Sequence, residues 1–328
     1  MLTFGYGQKV QASSSGKMTI YAIDLGKWNS GEATMISSGS GDLLIDTGDR
    51  GSDNIFYWLD SHRYKKKCFN LLITHWHEDH AGNTSRLIND YNIRTAYILS
   101  SGSDSDGKRL FNKLADAARK NGTKIVYLKK RQTISIGAGV DGRVLYVNGS
   151  PAYENSDDVQ LVNNQSAVIM FSGGRSKFLA AGDIQREAET RILNSGESLR
   201  ADIFKLSHHG HPGSNTREFV KKIMPTYAWF TTHDDTPSYY CPLSVYDCVR
   251  RMSSTSNVFS TRYNGTTVFQ CAGGKITVSA ERNTNVMYRR IRNKKTGNEK
   301  LSLLYSITRA CRGLQTNWLI PPCIQARR

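Results

Sequence analysis

His75-Trp76-His77-Glu78-Asp79-His80 constrains this chain more than any other stretch, because it packs four candidate metal ligands, His75, His77, Asp79 and His80, into one short segment. The segment directly follows the apolar run Phe69-Asn70-Leu71-Leu72-Ile73-Thr74. An extended backbone turns successive side chains to opposite faces, so His75 and His77 can point together while Trp76 points away. A bend beyond His77 then aims Asp79 and His80 at a second, neighbouring point. Imidazole and carboxylate donors gathered at the end of a buried strand are the donor set of a transition-metal site.

The rest of the chain supplies a scaffold of matching size. With 328 residues there is enough chain for one large two-layer domain, and nothing in it forces a second core. Residues 1–17, rich in glycine and serine, read as a flexible leader, since small polar residues bury too little apolar surface to offset chain entropy. A domain over 18–282 follows, then a basic tail over 283–328.

Within the domain, short apolar runs predict strands at 19–25, 33–36, 43–46, 71–74 and 96–99. A second group is predicted at 125–128, 133–136, 143–147, 167–171, 177–181, 203–206, 227–231, 267–271 and 275–279. Amphipathic segments at 54–65, 83–91, 108–120, 185–193, 216–224 and 243–251 predict helices. Strands clustered in each half with helices between them predict an α/β architecture of two sheets packed face to face and covered by helices, an αββα four-layer sandwich.

Several segments in the same order resemble the metallo-β-lactamase superfamily. Leu43-Leu44-Ile45-Asp46-Thr47-Gly48 resembles the first motif of that family, and Leu179-Ala180-Ala181-Gly182-Asp183 the strand that ends on a shared carboxylate. Lys205-Leu206-Ser207-His208-His209-Gly210 resembles the turn that carries the last histidine. Asn163-Asn164-Gln165-Ser166, the His-His-Gly turn, Tyr263-Asn264-Gly265-Thr266-Thr267 and Gly273-Gly274-Lys275-Ile276 narrow the resemblance to one branch. That branch contains the soluble domain of the competence protein ComEC and the bacterial phosphorylcholine esterases.

The resemblance implies a dinuclear metal hydrolase. His75 and His77 would hold one ion, Asp79, His80 and His209 the other, with Asp183 bridging them and Asp46 supporting the loop from behind. Two Zn²⁺ are expected, though Mn²⁺ or iron would accept the same donors. Many family members add a further histidine to the first ion, yet none occurs here between His80 and His208. Water, a substrate oxygen or the amide of Asn163 or Asn164 would complete that site. The expected chemistry is attack by a hydroxide shared between the ions, with Asp79 and His208 as the catalytic pair.

His208 and His209 are adjacent, so an extended backbone would turn them to opposite sides; the resemblance to the phosphorylcholine esterases implies that His209 is the ligand and His208 faces substrate. Asn164, His233, Tyr239 and Tyr240 are expected to touch substrate. A phosphodiesterase acting on a small-molecule or polymer-borne phosphoester fits best. A carbonyl hydrolase such as a lactonase, arylesterase or β-lactamase is the alternative, and a non-catalytic nucleic-acid-binding module the third.

Charge points the same way only weakly. The net charge is +16, but residues 282–328 hold +10 of it, so the domain itself is only mildly basic and a nucleic-acid partner is not demanded. Six cysteines show no Cys-x-x-Cys pair and no regular spacing, which predicts buried thiols rather than a zinc finger or a disulfide framework. No apolar run approaches the roughly 20 residues that span a bilayer. Met1 to Gly7 lacks the charged end and apolar centre of a signal peptide, which as written suits the cytoplasm, or export if a signal peptide has been removed.

Overall fold

A computed structural model describes residues 16–26, 31–100, 104–148, 159–231, 248–249 and 257–282. Among them the strands are β1 (Met18–Ala22), β2 (Thr34–Ser37), β3 (Asp42–Ile45), β4 (Cys68–Leu72), β5 (Asn92–Ile98), β6 (Lys124–Tyr127), β7 (Thr133–Gly137) and β8 (Val140–Tyr146). They continue with β9 (Val168–Gly173), β10 (Ser176–Ala180), β11 (Ile203–Lys205), β12 (Tyr227–Phe230), β13 (Asn257–Ser260), β14 (Thr267–Ala272) and β15 (Lys275–Ala280). One sheet runs β15-β14-β1-β2-β3-β4-β5-β6 and the other β13-β12-β11-β10-β9-β8-β7.

Each sheet joins antiparallel strands to a parallel set. The parallel runs are β3 to β6 in the first sheet and β10 to β13 in the second. Parallel strands carry their connections on the faces of the sheet and leave their carboxyl ends clustered on one side, where loops can gather side chains.

Period-2 alternation decides what the second sheet buries. Phe171, Phe178, Ile203 and Trp229 join the large cluster between the sheets, with Ile36, Leu44 and Leu71 of the first sheet. Their neighbours Met170, Leu179, Phe204, Ala228 and Phe230 turn the other way into a second cluster. A strand buried on both faces reads as a continuous apolar run, as 167–171 and 178–181 do.

The helices are α1 (Asn54–Ser61), α2 (Glu78–Ala81), α3 (Thr84–Asp90), α4 (Ser105–Asn121), α5 (Val159–Asn163), α6 (Arg186–Asn194), α7 (Arg217–Ile223) and α8 (Thr261–Asn264). α6 and α7 cover the second sheet through Ala188, Ile192, Phe219, Val220 and Ile223. α4 buries Leu110, Leu114, Ala117 and Ala118, the predicted stripe. It starts three residues before the amphipathic pattern does, because the Asp104 side chain accepts a hydrogen bond from Gly107 N at 2.6 Å and caps it. Two sheets sharing a core, with helices outside, make the expected αββα sandwich.

Three local expectations change. The helix predicted over 54–65 ends at Ser61, where Arg63 takes a left-handed backbone (φ 60°) and a 3-10 turn, Tyr64–Lys66, follows. Strand β13 and helices α2, α5 and α8 had no counterpart in the predicted pattern, each being only four or five residues long. Of the described cysteines Cys271 is buried, whereas Cys68 and Cys248 are only half-buried. Most of the leader and of the helix expected at 243–251, and all of the tail over 283–328, lie outside the described residues. No helix among the described residues is long and apolar enough to cross a membrane.

Candidate metal centre

The centre is assembled at the carboxyl ends of the parallel strands. Asp46 follows β3, the histidine loop follows β4, Asp183 follows β10, the His-His-Gly turn follows β11 and Thr231 follows β12. Trp76 is buried and meets Phe111 of α4 edge-on at 5.6 Å, while His75 Nε2 and His77 Nδ1 face one another at 3.0 Å. The expected alternation of these three side chains is what an extended loop produces.

The second donor group is tighter. His80 Nε2 lies 3.2 Å from Asp183 Oδ2, 3.3 Å from His209 Nε2 and 3.8 Å from Asp79 Oδ2. His209 Nε2 lies 3.2 Å from Asp79 Oδ2 and 3.4 Å from Asp183 Oδ2. The His75 and His80 rings are 4.2 Å apart, so the two groups adjoin. His75, His80 and Asp183 are buried, and the Asp79 side chain is 31 % exposed, which opens the centre on that side.

Hydrogen bonds behind the rings orient them. Asp46 is fully buried; its Oδ1 accepts from Thr74 N and its Oδ2 from Thr74 Oγ1, both at 2.8 Å. Because Thr74 Oγ1 spends its proton on the carboxylate, it accepts from His75 Nδ1 at 3.1 Å, and the Nε2 lone pair of His75 is left pointing at His77. His80 Nδ1 bonds Asp46 Oδ2 at 2.8 Å and His209 Nδ1 meets Thr231 Oγ1 at 2.6 Å, each arrangement aiming Nε2 inward.

Electrostatics separate the two groups. Burial holds His75 well below the usual imidazole pKa and lowers His77 as well. Burial also opposes charge on His80 and His209, but the carboxylates of Asp183 and Asp79 outweigh it, raising His80 well above its ordinary value and His209 to about 9. Imidazoles that attract protons this strongly from a ring of carboxylates occupy a place where positive charge is favoured. A divalent cation would supply it, and the donor types fit one.

The Asn-Asn-x-Ser segment turns the chain and braces Asp183. Ser166 Oγ accepts from Asp183 N at 2.9 Å, and Gly182 adopts φ 52° with the place of a Cβ only 2.7 Å from Ser166 Cβ, so a side chain there would collide. The Asn164 amide is engaged at both ends, accepting from Gln185 N at 2.8 Å and donating to Glu187 Oε2 at 3.2 Å. Asn163 Oδ1 is buried without a hydrogen-bond partner, and Asn163 Nδ2 lies 3.5 Å from His208 Nε2.

His208 and His209 diverge for a different reason from the one expected. The segment is not extended: both residues are left-handed (φ 51° each), a double turn that separates their rings by 6.2 Å. His208 stacks on His211 at 4.5 Å and has Gln185 Nε2 3.3 Å from its Nδ1. Burial pushes its pKa down to about 3. His233, Tyr239 and Tyr240 lie outside the described residues.

Two residues at the centre were missed by sequence reasoning. The ligand atoms of Glu32, His80, Asp183 and His209 all lie within 4.8 Å of one another. Glu32 Oε2 is ion-paired with Lys205 Nζ, and Lys205 also reaches Asp183 Oδ1 at 3.3 Å. Glu32 is therefore a charge partner of Lys205 before it is a donor to an ion. The signal was present: a lysine inside the apolar strand Ile203-Phe204-Lys205-Leu206 must be buried, and a buried ammonium needs an anion.

A family model described as "Metallo-beta-lactamase superfamily" matches residues 26–144, the stretch that holds Asp46 and the histidine loop. ComE operon protein 3 of Bacillus subtilis is 26 % identical over 264 residues, 72 % of this chain and 32 % of that protein. The uncharacterized protein YcaI of Escherichia coli is 21 % identical over 211 residues, 62 % of this chain and 24 % of its own. The chain thus spans a third or less of the length of these curated relatives. Among solved structures, the metallo-beta-lactamase fold protein YhfI of Bacillus subtilis aligns with a TM-score of 0.50 at 15 % identity, covering 77 % of this chain and 99 % of that one. The sequence match around the histidine loop shows a metallo-β-lactamase superfamily domain in this chain, and the two-sheet fold is the one YhfI has.

Proposed function

We propose that this chain is a metal-dependent hydrolase that binds two divalent ions, zinc being the simplest fit, and cleaves phosphodiesters. The observation that carries the proposal is the meeting of six donors, His75, His77, Asp79, His80, Asp183 and His209, in two adjoining groups whose nitrogens and oxygens face one another. His75 and His77 would hold one ion and Asp79, His80 and His209 the other, with Asp183 between them. Two such ions would supply Lewis-acid polarisation of substrate oxygens and a water of lowered pKa.

The protein's own part is positional. Asp46 and Thr231 fix the rings of His80 and His209, and Thr74 fixes that of His75. The exposed side of Asp79 gives substrate its approach, and His208, with Asn163 and Gln185, forms a wall that hydrogen-bonds an oxygen of the reacting group. A phosphodiester is favoured because a two-ion site can stabilise the attacking and the leaving oxygen of an in-line displacement. The first group, with two histidines and no third, also leaves room for a substrate oxygen.

The test uses the purified chain stripped by chelator and reloaded with Zn²⁺ or Mn²⁺. Bis(p-nitrophenyl) phosphate and single-stranded DNA are compared with nitrocefin and a lactone. Metal-dependent turnover of a phosphodiester above that of the carbonyl substrates is expected. Turnover of the carbonyl substrates alone would reassign the centre to ester or amide opening, and no turnover in either metal would remove the hydrolase assignment.

A further inference from the structure

Behind the six donors runs a continuous chain of contacts from one sheet to the other. Glu32, just before β2, donates its amide N–H to Asp79 O at 2.9 Å and accepts from Gly48 N at 2.9 Å through its own carbonyl. Its side chain crosses to the second sheet and pairs with Lys205 Nζ. Lys205 ends β11 with the same parity as Ile203, which faces the core between the sheets, so its side chain is directed toward the first sheet. Its ammonium donates to Gly182 O at 3.0 Å and to Asp183 Oδ1 at 3.3 Å. Glu32 is 2 % and Lys205 1 % exposed.

The ammonium thus donates two hydrogen bonds, to Gly182 O and Asp183 Oδ1, while its ion pair with Glu32 balances its charge. These contacts also divide Asp183. With Oδ1 held by Lys205, only Oδ2 faces His80 and His209. A carboxylate free to rotate could offer either oxygen or both. Furthermore, Asp79 belongs to the first sheet's loop and Asp183 to the second sheet's, and no covalent element nearby fixes their separation. The line Asp79–Glu32–Lys205–Asp183 joins the two through buried contacts.

We propose that Glu32 and Lys205 act as positioning residues, a buried strut across the two sheets that sets the spacing of Asp79 and Asp183 and holds Asp183 so that Oδ2 is the oxygen presented to His80 and His209. This rests on the proposal above that Asp79 and Asp183 hold metal. Removing one partner alone would leave a buried uncompensated charge and endanger folding, whereas removing both leaves a neutral, similarly sized pair.

The decisive comparison is therefore Glu32→Gln/Lys205→Met in one chain, with Glu32→Asp as a second variant that keeps both charges but withdraws the carboxylate by one methylene. Zinc dissociation constants from competition with a chromophoric chelator, the Co²⁺ absorption spectrum and the melting temperature of the metal-free protein are measured for each. Asp183→Asn is the control.

The double variant is expected to bind the more weakly held zinc at least about tenfold less tightly and to alter the Co²⁺ spectrum. Glu32→Asp should show a smaller loss in the same direction. Wild-type zinc constants and an unchanged Co²⁺ spectrum in both variants, whatever their melting temperatures, overturn the strut while leaving Asp183 as a ligand if Asp183→Asn is impaired. If Asp183→Asn itself binds two zinc ions normally, the metal assignment beneath the strut fails first.

Discussion

His80 Nδ1 and Asp46 Oδ2 are 2.8 Å apart, both fully buried, and the same carboxylate also binds Thr74 through its backbone N–H and its hydroxyl. One side chain thus fixes the ring of His80 and, through Thr74, the tautomer of His75. Asp46 stands in the left-handed region at φ 59°, where asparagine is tolerated and alanine is strained.

Asp46→Asn is accordingly expected to fold but to weaken metal binding about 10–100-fold, because the acceptor for the His80 N–H is lost while the backbone is preserved. Competition titration of zinc and circular dichroism check it. Wild-type affinity in Asp46→Asn would mean that the carboxylate only shapes the loop. Asp46→Ala should in addition lower the melting temperature, since Thr74 loses two buried bonds.

His75→Ala and His77→Ala separate the two donor groups. Each should leave a folded protein with about one fewer bound metal per chain by elemental analysis, and turnover of the phosphodiester should drop more than about 100-fold. Two metals retained in either variant would place the first ion elsewhere.

The left-handed pair His208-His209 predicts a split between neighbours. His208→Ala should keep its metal content while kcat falls about 100-fold, as expected for a lost hydrogen bond or proton to the reacting group. His209→Ala should lose metal. Metal loss in His208→Ala would show that the two residues do not have separate roles.

Glu189 offers a prediction in pH. Its carboxylate accepts from Asn215 N at 2.5 Å and Thr216 N at 2.9 Å, and Asn215 in turn bonds Ser207 N through Oδ1 and Ser207 O through Nδ2, both at 2.9 Å. Burial raises the Glu189 pKa, with the Thr216 and Asn215 hydrogen bonds acting against it. The folded state therefore holds this proton more tightly than the unfolded chain, and the contribution to stability is fully present below the ordinary glutamate value of about 4.3 and lost as pH rises through the raised value. Denaturant titrations from pH 4 to 8 should show the stability of the wild type relative to Glu189→Gln declining as pH rises. A pH-independent difference would contradict the raised pKa.

Much of this molecule is legible in local patterns. Apolar runs at 43–46, 71–74, 167–171 and 203–206 became strands because alternation and β-propensity act over neighbours, and the donors at their ends were placed by chain connectivity. Short elements such as α2 and β13 left no period long enough to detect. The double left-handed turn at His208-His209 was hidden because histidine rarely adopts that backbone, and nothing in the local pattern marks it; in the fold it follows Ser207, which Asn215 holds by two hydrogen bonds.

The candidate donors, the strand ends that carry them, and the two-sheet class were legible in the sequence alone, since each depends on residue type and short-range period. Tertiary structure decided how those donors are held: Asp46 serving His80 and Thr74 together, Thr231 behind His209, and Glu32 paired with Lys205 across the sheets. Such pairs are chosen by which buried polar groups meet once both sheets have packed, where each unpartnered group would cost desolvation, and no spacing along the chain records that meeting.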